Sequence, residues 1–138
     1  MDWKLELVTV PVSDIDRAKA FYTERVGFDV LTDNQVPGFR VVQLTPPGSA
    51  CSIFLGKGIA EAPAGSAQGL HLVVSDIERA RAELIRGGVD AGEIVHFEAT
   101  GQASGPDPER RDYNSFVFFS DPDGNGWAVQ EVGRRTPT

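Results

Sequence analysis

The chain has 138 residues, a formal charge of −7 and a pI near 4.7, which is one domain's length and an acidic balance that excludes a surface built to grip phosphate backbones. Nucleic acid is therefore not an expected partner, whereas a small cationic molecule would be tolerated. Cys51 is the sole cysteine, so neither an internal disulfide nor a cysteine-rich zinc site can form.

The chain starts MDWKLELVTV, with Asp2, Lys4 and Glu6 where a signal peptide would be apolar. No run of about 18 uncharged apolar residues follows, so a cytoplasmic location without membrane contact is the expectation. LELVTVPV alternates like a strand and runs into VSDIDRAKA, where Ser13 and Asp16 have the spacing of a capping box. Ile15, Ala18, Phe21, Tyr22 and Val26 then recur on one helical face, and Gly27 supplies the stop. Strands are predicted over roughly 29–33, over FRVVQLT at 39–45 and over CSIFLG at 51–56, with Cys51 a small buried side chain. GKGIAEAPAGSAQG is rich in small residues, glycine and proline, and marks a linker at 57–68.

At 74–82 the chain writes VSDIERARA, which matches VSDIDRAKA at seven of nine positions and keeps charge at the other two. Ser75 and Glu78 repeat the cap, Ile77, Ala80, Leu84 and Ile85 repeat the apolar stripe, and GGV at 87–89 repeats the glycine stop. Strands are predicted in EIVHFE at 93–98, SFVFFS at 115–120 and GWAVQEV at 126–132. Between the first two lies an irregular stretch, 99–114, of a length that is usually functional or disordered. Its Arg110, Arg111 and Tyr113 read as a charged surface loop, or as a flap over an anionic or aromatic ligand. The chain is thus two βαβββ modules, at about 4–56 and 69–133, in a single domain.

With the closing FSDPDGNGWAVQEV, the doubled helix start resembles the vicinal oxygen chelate superfamily, the group of glyoxalase I, extradiol dioxygenases and bleomycin-resistance proteins. The resemblance spans about residues 5–133. It implies an α+β fold in which the two modules form a cupped, eight-stranded mixed sheet (the glyoxalase/bleomycin resistance fold) around one site, and it implies a homodimer. It also implies four metal-ligand places, which here hold Leu7, Phe54, Gly69 (Leu70 with a slip of one residue) and Ala128. A zinc, iron or magnesium site needs about three or four nitrogen, oxygen or thiolate donors. These side chains supply none, so no metal cofactor is expected. Strand alternation adds Thr9, His71 and Gln130 to the same floor, and the predicted ligand pocket is Leu7, Thr9, Phe54, Leu70, His71, Ala128 and Gln130.

His71 is the candidate catalytic residue, with a satisfied structural histidine as the equal alternative. His96 and Glu98 alternate on one strand face and are read as surface residues. DPDGNGWAVQEV nearly matches a calcium loop, but Val132 holds the twelfth place and a tight turn accounts for the rest. Glu131 alternates away from Ala128 and Gln130, and would reach the site only through a bulge. The function these readings favour is metal-free binding of an antibiotic or hydrophobic metabolite. Whether the protein is an enzyme stays open: a glyoxalase-type lyase, dioxygenase or isomerase could use a non-standard metal site such as His71 with Glu131, or metal-free acid–base chemistry on His71 aided by Thr9 or Gln130.

Overall fold

The computed structural model describes residues 1–56 and 62–133. Residues 57–61, the first part of the predicted linker, lie outside that set. The chain divides into two compact units, one of Met1–Ala67 with Asp121–Asn125, the other of Gln68–Ser120 with the chain from Gly126. Both are α+β, and among the described residues no helix is long and apolar enough to cross a membrane.

The first unit holds β1 (Leu7–Pro11), α1 (Ile15–Ala20), β2 (Asp29–Val36), β3 (Phe39–Thr45) and β4 (Ser52–Gly56). Its sheet runs β1-β4-β3-β2, with β1 parallel to β4 and the other pairs antiparallel. Alternation along these strands puts Val10, Val42, Leu44, Ile53 and Leu55 into the core, on the side that α1 covers. The helix continues as a π-helical turn over Phe21–Val26. A local cause is Thr23, whose hydroxyl donates to the Lys19 carbonyl at 2.8 Å, while the amides of Gly27 and Phe28 both reach back to the Tyr22 carbonyl. Phe21, Tyr22 and Phe28 fill the resulting end of the core, with ring centroids 5.1 and 5.6 Å apart.

The second unit holds β5 (Leu70–Val74), α2 (Ile77–Arg86), β6 (Val95–Glu98), β7 (Gly101–Ser104), β8 (Ser115–Ser120) and β9 (Gly126–Glu131). The sheet runs β5-β9-β8-β6-β7, and β5 is parallel to β9. Ile77 and Leu84 of α2 pack against β8 and β9, over Val117, Phe119, Trp127 and Val129. Among the described residues nine strands therefore stand where eight were expected. The extra one is β7, inside the stretch read as irregular, where Ala99 and Thr100 turn the chain and Gly101, with φ of 121°, lets a short hairpin close on β6.

The helix caps also differ from expectation. Asp14 and Asp76, rather than Ser13 and Ser75, accept the amides of Arg17 and Arg79, at 3.0 and 3.1 Å. Ser13 instead donates to Asp123, which also pairs with Arg17 at 3.2 Å. The turn 121–125 that resembles a calcium loop is held by protein donors throughout. Asp121 accepts from Tyr22 Oη at 2.7 Å and from the amides of Asp123 and Asn125, while fully buried Asn125 donates to the Pro11 carbonyl and to Asp121.

Candidate functional site

The seven residues predicted for the pocket fall on both sheets. On the first, Leu7 pairs with Ser52 and Thr9 with Phe54, so all four share the face turned away from α1. Leu7 and Phe54 are half-buried and Thr9 is exposed. Gln43 stands beside Phe54 in the next strand and was not anticipated. Its Nε2 is shielded from solvent and has no hydrogen-bond partner among the described residues, an orphaned donor.

On the second sheet the register decides which side chains meet. Phe118, Ala128 and His71 form one row across β8, β9 and β5, and Phe116, Gln130 and Val73 form the next. Leu70 is a correction. It pairs with Trp127 on the face that α2 covers, because side chains alternate along β5 and Gly69, His71 and Val73 share the other side. Glu131 lies on the helix side as well, opposite His71, since β8 and β9 pair without a register shift. Only 3% exposed, Glu131 accepts the Ile77 amide at 2.8 Å, at the start of α2, and pairs with Arg110 at 2.9 Å. The carboxylate is thereby committed to the fold, and the pairing of His71 with Glu131 on one metal does not form. Among the described residues no three His, Cys, Asp or Glu side chains converge as a metal site would require.

The open face of this sheet carries an aromatic wall that alternation in SFVFFS could have disclosed. Phe97 meets Phe116 edge-on at 5.4 Å, and Phe116 stacks on Phe118 at 5.9 Å with ring planes 5° apart. Phe97 and Phe118 remain 44% and 45% exposed. Phe118 also borders a cavity of about 530 Å³, which His71, Ala128, Gln68, Asp90 and Ser120 help to line. This lies within the range of small-molecule sites. The small Ala128 side chain leaves the space between Phe118 and His71 unfilled. His71 is exposed, with Nδ1 2.7 Å from the Gly69 carbonyl. That carbonyl can only accept, so the proton sits on Nδ1 and a neutral ring carries its lone pair on Nε2.

His96 is not at the surface. It is 4% exposed, with Nδ1 2.8 Å from the Gly105 carbonyl and Nε2 3.1 Å from Glu98. Both neighbours are acceptors and so favour the protonated ring: the Gly105 carbonyl, followed by Glu98, raises the imidazole pKa. Nearby, fully buried Asp107 collects Arg111, Asn114, the Glu109 amide and, through its own amide, Ser115. The hydrogen bonds from Arg111 and then Asn114 hold its carboxyl well below the usual carboxylate range. Arg110 and Arg111 of the 99–114 stretch thus brace the loop. Tyr113, at φ of 68°, is over half exposed and accepts from Gln130 through its carbonyl at 3.0 Å. Cys51 is half-buried just ahead of β4.

A family model described as "Glyoxalase/Bleomycin resistance protein/Dioxygenase superfamily" matches residues 4–129. Among solved structures, the chain is 32% identical to TnmS3, an antibiotic binding protein from Streptomyces sp. CB03234, covering 94% of this chain and 96% of that one with a TM-score of 0.73. A glyoxalase/bleomycin resistance protein from the same organism is 33% identical, with 93% and 100% covered and a TM-score of 0.71. The uncharacterized protein YetH of Bacillus subtilis (strain 168) is 29% identical over 126 residues, 90% of this chain and 94% of that protein.

Proposed function

The chain belongs to the glyoxalase/bleomycin resistance protein/dioxygenase superfamily, and from that premise we propose that it is a metal-free binding protein for a flat, hydrophobic small molecule such as an antibiotic. The observation that carries this reading is the Phe97–Phe116–Phe118 wall beside the cavity on the second sheet. Rings left partly in water are costly to expose unless something stacks on them. The likeness to TnmS3, described as an antibiotic binding protein, supports the same direction. The empty ligand places, with Ala128 and Gly69 facing the cavity, support binding without a metal.

Calorimetry with acridine, a neutral tricyclic probe, tests the reading, beside elemental analysis of the untagged protein. The expected result is saturable binding with no stoichiometric metal. Phe118→Ala should weaken acridine about two- to tenfold, the loss of one aromatic pair worth ~0.5–1.5 kcal/mol. Absence of binding, or binding indifferent to Phe118→Ala and Phe116→Ala, overturns it.

A second reading rests on His71, whose Nδ1 contact with Gly69 leaves Nε2 as a base at the cavity. It makes the protein a metal-free acid–base enzyme. Turnover that His71→Ala abolishes while binding survives would favour it.

A further inference from the structure

We infer that the molecule held at the second sheet is an aromatic cation, a flat ring system bearing a protonated amine, with Asp90 as its counter-ion. This rests on the binding reading above and adds the charge of the ligand to it. Phe118 and Asp90 line the same cavity, which brings an aromatic residue and an acidic residue to one site. Asp90 has no hydrogen-bond or ion-pair partner among the described residues, unlike Asp107, Asp121 or Asp33, whose oxygens are occupied within the fold. Among the described residues no Lys or Arg lines the cavity to neutralise it.

The placement of Asp90 follows from its neighbours. Val89 and Ala91 are buried after the α2 stop, and the amide of Gly92 bonds to the Phe118 carbonyl at 3.0 Å. These contacts tie the segment to the end of β8 and hold exposed Asp90 at the cavity that Phe118 borders. A cation between them gains the ring's negative face as well as the carboxylate, and the protein's charge of −7 draws it in. An anion meets neither a fixed cation nor a favourable field. His71 also lines the cavity. The comparison is made in mildly alkaline buffer, where acridine is neutral.

Three tricyclic probes of nearly one shape separate charge from stacking: proflavine, a cation, acridine, neutral under these conditions, and anthracene-9-carboxylate, an anion. Calorimetry of each with the full chain should rank proflavine tightest and the carboxylate weakest. Asp90→Asn should weaken proflavine about two- to fivefold, the range of a solvent-screened ion pair, and leave acridine unchanged. Raising the salt should have the same effect on the unsubstituted protein. Equal affinity for the carboxylate and proflavine, or proflavine binding untouched by both Asp90→Asn and Asp90→Lys, overturns the inference. If in that case Phe118→Ala still weakens all three probes, the binding reading survives without its charge. If none of the probes binds, the binding reading falls and the inference with it.

Discussion

Gln43 and His96 show how far single residues depend on what faces them. Gln43 keeps a donor out of water with nothing to receive it among the described residues, and an orphaned buried donor costs about 1–3 kcal/mol. Gln43→Leu, close in size and without the donor, should therefore leave the thermal midpoint unchanged or raise it. A fall of several degrees would mean that the amide is satisfied in solution. His96 faces two acceptors and has its pKa raised, chiefly by the Gly105 carbonyl. A folded-state value above the unfolded value of about 6.5 means the cation's stabilisation is complete below that pH and is lost as pH rises through the folded value. Titration of the His96 ring protons by NMR should give a midpoint above 6.5, and Glu98→Gln should bring it down. A midpoint at or below 6.5 contradicts the contact geometry. Neither role was legible beforehand. The alternation of VHFE gives the face of His96, but only the register of β6 on β8, His96 opposite buried Ser115, shows that this face is covered.

Among the elements, the turn 121–125 and α2 show residues placed by one pattern and employed by another. The aspartates and glycines of DPDGN were legible as a tight turn. What was not legible is that this turn, sequence-adjacent to β8 and β9, belongs with the first unit through Tyr22, Ser13, Arg17 and Pro11. Tyr22→Phe should cost about 1.5–3 kcal/mol, the worth of a buried hydrogen bond to a charged group. Chemical denaturation with an unchanged slope would measure it. A cost near zero would show that the amides of Asp123 and Asn125 and the Asn125 side chain satisfy Asp121 without the tyrosine. Glu131 lies where alternation puts it, on the face away from Ala128, and there it accepts the first amide of α2. The doubled cap was misplaced by one residue for a physical reason. A carboxylate at the last extended position reaches the amide three residues on, which both Asp14 and Asp76 do, leaving Ser13 free for Asp123.

For the molecule as a whole, acid lability follows from Asp33 and Asp107. Hydrogen bonds from Arg40 and then Lys19 depress the pKa of Asp33, as Arg111 and then Asn114 depress that of Asp107. Depressed carboxylates stabilise above their unfolded value of about 3.9, and that contribution is lost as pH falls through the lower folded values. Unfolding midpoints measured downward from pH ~4 should fall for the unsubstituted protein and less steeply for Asp107→Asn. Equal slopes would remove Asp107 from the account. We further propose the two-fold homodimer that the family likeness implies. Sedimentation equilibrium at micromolar concentrations should find it, and a persistent monomer would rule it out. By itself, the sequence determined the two strand-to-helix repeats, the βαβββ order of the first half and the absence of ligating side chains at Leu7, Phe54, Gly69 and Ala128, because these follow from local periodicity, turn chemistry and residue type. Only the tertiary structure decided that α2 covers the face holding Leu70 and Glu131, that His96 is buried, that β7 extends the second sheet and that Phe97 joins Phe116 and Phe118 in one wall. Those outcomes depend on strand register and on which face a helix covers, and both are set by pairing between distant segments.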